Sequence, residues 1–147
     1  MNWADAWVRV PSLLSAHMQL SAAAIFLGLV IALPLGILAA RHPRFGRILL
    51  GFASLVQTIP SLALLALFYP LLLALSSLFP LPALGFLPSL LALTLYALLP
   101  IIRNLATALT QIDGGIILAA DAMGMTSRQK LKWVEMPLAL PALMDGI

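Results

Sequence analysis

The sequence predicts an all-α membrane protein, and three observations support this prediction. Hydrophobic residues make up 63% of the 147 residues and charged residues only 9%, whereas a soluble domain is about 25% charged. No charged residue and no histidine occurs from Ile48 to Ile102, a run much longer than the about 20 apolar residues of one membrane span. Basic residues cluster after the first apolar run and again after Ile102, as is typical of the cytoplasmic ends of membrane helices.

Span one is predicted at residues 13–40, since membrane helices tolerate the glycines and proline within it. The run is too long for a signal peptide, and its basic residues follow it, so we expect it to remain uncleaved. The positive-inside rule places the basic loop at 41–47 in the cytoplasm and residues 1–12 outside. Trp3 and Trp7 then fit an interfacial aromatic belt, or equally an ordinary amphipathic contact.

The uncharged stretch is expected to cross the membrane twice. As a single helix it would be roughly 80 Å long, against a hydrocarbon core of about 30 Å. Two crossings also leave the basic clusters on either side of the stretch in the same compartment. We predict an interfacial helix and span two over 45–78, bent at Pro60, an external turn over 79–88 that contains three prolines, and span three over 89–110.

The most polar segment, residues 111–137, is too short and too charged to span a membrane. We expect a cytoplasmic hairpin of two helices, the first over Ile116–Met123 after a turn at Asp113–Gly115. Gly124 suits a left-handed helix C-terminus. The second helix is expected to end at Pro137, and residues 138–147 resemble the start of a fourth span.

Two side-chain patterns are predicted within the second helix of this hairpin. Thr126 and Gln129 have the spacing of a capping box, in which each side chain bonds to the other residue's backbone N–H. Glu135 lies three residues after Lys132, where its charge offsets that of the basic residues.

The residues that enzymes and metal sites need are scarce in this chain. It has no cysteine, which excludes disulfides and thiolate metal ligands. The two histidines are far apart, and no paired carboxylates occur in the apolar region. Gly114 and Gly115 are not followed by Gly-Lys-Ser/Thr, so a phosphate-binding loop is not expected. We therefore predict no catalytic residue, no metal site and no bound cofactor, and any ATP would be hydrolysed by another subunit.

The run Leu118–Gly124, followed by Val134–Pro137, resembles the EAA loop of binding-protein-dependent ABC importer permeases. That family has a Glu-Ala-Ala triplet, a glycine four residues after the last alanine, and then an apolar residue and a proline at fixed spacing. The matching residues are Ala119, Ala120, Gly124, Val134 and Pro137. Leu118 stands where the family usually has Glu, and Met136 stands where it usually has Leu.

The upstream segments Leu55–Leu72 and Leu95–Asn104 resemble the osmoprotectant branch of these permeases, as do His17–Ser21 and Leu33–Arg41. The resemblance therefore covers essentially the whole chain. It implies uptake of glycine betaine, choline or carnitine, with an amino-acid-type permease of the same fold as the alternative. Because family members continue with further spans, we expect this chain to be a fragment or a truncated product.

The resemblance also implies a truncated MetI-like permease fold in the bacterial inner membrane, with no nucleic-acid partner. The expected partners are an ABC ATPase subunit, a second permease subunit (identical or different), an extracytoplasmic substrate-binding protein and the lipid bilayer. The residues implied to couple the chain to the ATPase are Ala119, Ala120, Asp121, Gly124, Met125, Thr126, Val134 and Pro137.

Two other interpretations of the hairpin remain open: a DNA-binding helix-turn-helix in a membrane-anchored regulator, and a solvated loop of a structural membrane protein. Ala120 and Gly124 fit the helix-turn-helix pattern. However, that motif generally buries an apolar residue six positions after the glycine, where this chain has Lys130.

Several polar or kinked positions have ordinary structural roles as well as functional ones. Pro60 is expected to start a helix rather than to act as a gating kink, and Arg103 to extend to the cytoplasmic surface rather than to bind substrate. Tyr69 and Tyr96 have π-faces that suit a quaternary ammonium, but packing is the simpler role. The substrate-binding residues therefore stay unknown.

Overall fold

The structure, a computed structural model, describes residues 3–79 and 82–146, with the side chains of residues 3–6 outside the description. The expectations that concern the Trp3 side chain and residues 80 and 81 lie outside the described residues. The described part is all-helical, which confirms the predicted fold class. Its helices are α1 (Trp3–Arg41), α2 (Pro43–Thr58), α3 (Ser61–Leu75), α4 (Phe86–Thr110), α5 (Gly114–Ala122), α6 (Ser127–Lys130) and α7 (Met136–Met144), and a π-helical turn (Leu131–Glu135) joins α6 to α7.

Helix α4 lies at the centre of the bundle and packs against α1, α2, α3 and α7. Its residues Ile101 and Leu105 are completely buried and, with Ala32 of α1, belong to the core. At Gly36 of α1, an added Cβ would lie only 2.8 Å from Leu105 Cδ2. Small residues on α1 therefore allow the two helix backbones to approach closely, as is common where membrane helices pack.

Helix α1 is longer than the span predicted within it. Its 39 residues extend about 58 Å at 1.5 Å per residue, nearly twice the thickness of a bilayer core. Residues 7–19 are exposed, so the N-terminal part of α1 projects beyond the part packed on α4. The segment predicted to precede the span is thus itself helical from Trp3 onward.

The predicted break at Pro60 is present and sharp. Pro60 lies immediately before α3, and the axes of α2 and α3 are bent by 98° relative to each other. The break is attached to α4, because the Tyr96 hydroxyl donates to the Ile59 carbonyl and the Gln57 side chain donates to the Tyr96 carbonyl at 3.0 Å. Pro60 therefore starts a helix in a position that side-chain hydrogen bonds hold.

The bend limits the number of unbroken spans in the described residues. Helices α1 (from Trp7 onward) and α4 are long and apolar enough to cross a membrane. Helices α2 and α3 have 16 and 15 residues, about 24 and 22 Å, and each alone is shorter than a bilayer core. With a 98° bend, the two cannot both follow the membrane normal, so together they form either one broken span or a re-entrant loop.

Three predicted boundaries differ from the structure. The basic loop predicted at 41–47 is reduced to a break at His42, because α1 extends to Arg41 and α2 already begins at Pro43.

Helix α4 begins at Phe86 rather than at Ser89, because Pro88 falls in the first turn, where its missing N–H removes no helical hydrogen bond. The preceding Gly85 adopts a positive φ of 91°, which ends the turn three residues earlier than expected. The second helix of the polar segment was expected to stop at Pro137, but the helical path continues through this residue into α7.

Gly46 offers a test of how α2 returns along α1. A Cβ at this buried glycine would lie 2.8 Å from the Ala39 carbonyl oxygen, whereas a Cβ at Gly51 of the same helix would meet nothing within 4 Å. We expect Gly46→Ala to lower the free energy of unfolding by about 1–3 kcal/mol, because a backbone atom cannot move aside as a side chain can. Thermal unfolding in detergent micelles measures the difference.

The control for this experiment is Gly51→Ala, which should leave stability unchanged or raise it by about 0.5–1 kcal/mol through helix propensity. Equal unfolding temperatures for the two variants would contradict the close approach of α2 to α1.

Candidate functional site

The candidate site is the segment 113–135, which comprises α5, α6 and the π-helical turn and is called the hairpin below. Its first helix starts two residues earlier than predicted, at Gly114 instead of Ile116. Asp113 caps α5 by accepting a hydrogen bond from the Gly115 N–H at 2.7 Å. Gly114 and Gly115, which were expected to form a turn, are instead the first residues of α5.

The turn between α5 and α6 has hydrogen-bonded caps on both sides. Gly124 adopts a φ of +75°, and the N–H groups of Gly124 and Met125 donate to the carbonyls of Asp121 and Ala120 at 2.9 and 3.1 Å. This pattern is a Schellman motif, which satisfies carbonyls at the end of α5. The glycine at this position is therefore required by the backbone conformation, as predicted.

The predicted capping box opens the second helix. The Thr126 hydroxyl accepts from the Gln129 N–H, and the Gln129 side-chain oxygen accepts from the Thr126 N–H at 2.8 Å. The Schellman motif ends at Met125, directly before this cap. The geometry of the turn is thus fixed by local hydrogen bonds on both sides.

An ion pair closes the hairpin. Lys130 Nζ lies 2.6 Å from an oxygen of Asp121, with the Lys130 side chain 17% exposed. Lys130 occupies the position at which a helix-turn-helix generally buries an apolar residue. Because this position carries an ion pair between the two helices, the hairpin lacks that feature of a DNA-binding motif.

The π-helical turn ends at Glu135, two residues before Pro137. Pro137 cannot donate to the carbonyl four residues earlier, and its ring would crowd that carbonyl in a regular α-helix. A π-helical turn widens the path at this point, so the chain continues into α7 instead of stopping.

Past the turn, three buried residues at a spacing of four lie on one face of the helix: Glu135, Ala139 and Leu143. Ala139 and Leu143 join the hydrophobic core with α4. Glu135 thus occupies the end of an apolar face, where a charge needs a partner.

That partner is Arg41, the last residue of α1. The Arg41 guanidinium donates to the Glu135 carboxylate, which is only 4% exposed while the Arg41 side chain is 49% exposed. The prediction that Glu135 offsets Lys132 is therefore wrong: Lys132 lies over the Trp133 ring at 4.9 Å instead. Removing one partner of a fully buried pair costs about 3–5 kcal/mol, and the cost here is lower because Arg41 is half exposed.

The predicted coupling residues lie on the hairpin, except Pro137, which is in α7, and they differ in exposure. Ala120 is 1% exposed, whereas Leu118 on the same helix is 70% exposed. The surface of α5 next to the turn is therefore apolar, and Leu118, Ala119 and Met123 are exposed there, where a partner can contact them. Of the remaining predicted residues, Asp121, Gly124, Thr126 and Pro137 are exposed, and Met125 and Val134 are half-buried.

The structural roles of Arg41, Glu135 and Lys130 were missed by reasoning from the sequence. Arg41 was assigned only to the basic loop, and its partner is 94 residues away. The available signal was the spacing of four that places Glu135 in line with Ala139 and Leu143. A carboxylate on such an apolar face indicates a distant cationic partner.

Of the residues considered for substrate binding, Tyr96 and Arg103 make structural hydrogen bonds. Tyr96 and Gln57 hold the break between α2 and α3. Arg103 is exposed and donates to the Ser54 hydroxyl of α2 at 3.3 Å, and Tyr69 is exposed on α3. Over the described ranges, no group of three or more His, Asp or Glu side chains is arranged to hold a metal ion.

Comparisons with known proteins agree with these features. Residues 32–147 match the family described as "Binding-protein-dependent transport system inner membrane component". The osmoprotectant import permease protein OsmW of Salmonella typhimurium is 43% identical over 136 residues, which cover 92% of this chain and 61% of that protein. The glycine betaine/carnitine/choline transport system permease protein OpuCB of Bacillus subtilis is 37% identical over 131 residues, covering 89% and 56%. The chain thus spans little more than half the length of these relatives.

A solved structure shows a similar fold. An inward-facing structure of the MetNI methionine ABC transporter matches with a TM-score of 0.78 and 26% sequence identity, covering 99% of this chain and 69% of that chain. This likeness confirms the predicted MetI-like permease fold.

The capping box can be tested by removing its hydroxyl. Thr126→Ala loses the side-chain acceptor of the Gln129 N–H, which should destabilise α6 by about 1 kcal/mol. Amide hydrogen exchange of residues 127–131 should accelerate about fivefold, since 1.4 kcal/mol corresponds to a factor of ten. The matched control is Ser127→Ala, at an exposed neighbour. Equal exchange rates in the two variants would show that the capping box does not stabilise α6.

Proposed function

This chain belongs to the binding-protein-dependent transport system inner membrane component family, and from that premise we propose that it is a permease subunit of an ABC importer. In this proposal the helices α1–α4 form part of the translocation path. The hairpin docks on a separate ABC ATPase subunit, which binds and hydrolyses ATP, while this chain carries out no chemistry itself. A second permease subunit and an extracytoplasmic substrate-binding protein complete the assembly.

The observation that supports coupling most strongly is the construction of the hairpin. It has a glycine turn with caps on both sides, and the ion pair of Lys130 with Asp121 closes it at 2.6 Å. A short segment restrained in this way transmits displacement as a unit instead of deforming. Its outer face carries Leu118 and Ala119, both exposed. A small, partly apolar projection of this kind suits insertion into a groove on a partner.

The contact between Arg41 and Glu135 supports the proposed topology. The hairpin and the basic residues where α1 meets α2 are therefore at the same end of the bundle. Since basic residues are enriched on the cytoplasmic side, both segments are proposed to face the cytoplasm, where an ATPase subunit would lie. The chain then crosses the inner membrane several times, with its N-terminus outside.

The proposed substrates are osmoprotectants such as glycine betaine, choline or carnitine. The names of the relatives that are 43% and 37% identical refer to such compounds, whereas the methionine transporter matched by structure is 26% identical. The alternative is an amino-acid-type permease of the same fold, which that structural likeness favours.

Docking on an ATPase can be tested at the turn. Gly124→Pro forces φ to about −65°, against the +75° that the turn requires. We expect at least about tenfold less ATPase subunit to co-purify with the variant, because a distortion of about 3 kcal/mol changes an equilibrium by more than a factor of ten. The control is Gly114→Ala, since a Cβ at Gly114 meets nothing within 4 Å. Unchanged co-purification, or a DNA mobility shift that the variant abolishes, would contradict the coupling role.

The substrate class can be tested by uptake of radiolabelled compounds into proteoliposomes that hold the complete transporter. Glycine betaine, choline or carnitine should be accumulated in an ATP-dependent way, and methionine and proline should not. Accumulation of methionine alone would favour the amino-acid-type alternative and exclude the osmoprotectant proposal.

A further inference from the structure

We infer that the ion pair of Arg41 with Glu135 links the hairpin to the C-terminal end of α1, so that the two segments move as one body. The two side chains are positioning residues, since they act through the hairpin rather than on a substrate. The coupling consequence of this inference rests on the proposed function above, but the mechanical link itself does not.

The two helices of the hairpin pack little against the bundle. Helices α5 and α6 have no substantial packing contact with α1, α2, α3 or α4. Through the described ranges, the bond from Arg41 to Glu135 is the one side-chain hydrogen bond that joins the hairpin to the helices before it. The hairpin's other connections to the bundle are the 111–112 link and the continuation of the π-helical turn into α7, which packs on α4.

Glu135 is buried. Its carboxylate is 4% exposed and occupies the core-facing position of the helix that continues into α7. A carboxylate at such a position is stable only with a cation bound to it. Opening the pair would leave this buried carboxylate without a partner, so the paired state is favoured more than in a fully exposed ion pair, and less than in a fully buried one because Arg41 is half exposed.

The pairing is selective for one of three neighbouring arginines. Arg44 and Arg47, in the first turns of α2, make no ion pair with any described residue. The nearest cation in sequence, Lys132, lies over the Trp133 ring. Arg41 is the last residue of α1 and binds Glu135, so the ion pair links the hairpin specifically to α1.

The mechanical test uses the absence of cysteine from the chain. Spin labels at Val30→Cys, exposed on α1, and Ala122→Cys, exposed on α5, report the distance between the two bodies in lipid nanodiscs. We expect one narrow distance distribution in the parent chain and a broad one in both Arg41→Gln and Glu135→Gln. Arg44→Gln, which removes the same charge three residues away, is the matched control and should keep a narrow distribution.

Glu135→Gln protects the test against misfolding, because it removes the buried charge instead of leaving it unpaired. A narrow distribution in folded Glu135→Gln would overturn the inference. Equal broadening in the Arg44→Gln control would overturn it too, because the broadening would then follow from the loss of any positive charge near the start of α2.

The functional test compares substrate transported with ATP hydrolysed in the complete transporter. We expect Arg41→Gln to keep its ATPase subunit but to move about 2- to 30-fold less substrate per ATP, with Arg41→Lys partly restoring the ratio. An unchanged ratio beside a broadened distance distribution would overturn the coupling consequence. Failure of the parent chain to retain any ATPase subunit would instead count against the proposed function. The distance measurement would still show whether the ion pair links the hairpin to α1.

Discussion

The close packing of α1 on α4 is the contact on which the rest of the structure depends. In a bilayer the hydrophobic effect does not drive helices together, so association depends on how closely their surfaces fit. Gly36 leaves room for Leu105, and the fully buried Ala32, Ile101 and Leu105 form the centre of the core.

This contact determines the position of the elements that follow. Helices α2, α3 and α7 all pack on α4, and the last residue of α1, Arg41, is carried to a point beside the start of α7. Glu135 reaches the same point because it continues the buried face formed by Ala139 and Leu143. The ion pair between them is thus a consequence of how α1 and α7 share α4. Among the described residues, this ion pair is the one side-chain hydrogen bond between the hairpin and the helices that precede it.

Local features were predictable from the sequence, whereas contacts between distant segments were not. Gly124 and the pair Thr126 and Gln129 were identified correctly because their bonds lie within a few residues of each other. The break at Pro60 was located, but its angle of 98° depends on Tyr96 and Gln57 bonding across to another element. The path through Pro137 and the partner of Glu135 depend on packing against α4 and α1, which the linear spacing alone did not show.

The most direct measurement of the central claim is cross-linking from the exposed face of α5. Leu118→Cys, in a chain without other cysteines, can carry a thiol-linked photoreactive group in membranes that contain the assembled transporter. The account predicts a cross-link to the ATPase subunit that changes in yield on addition of ATP, and no reaction with a membrane-impermeant thiol reagent from outside the cell. Labelling of Leu118→Cys from outside, or cross-links to lipid alone, would contradict it.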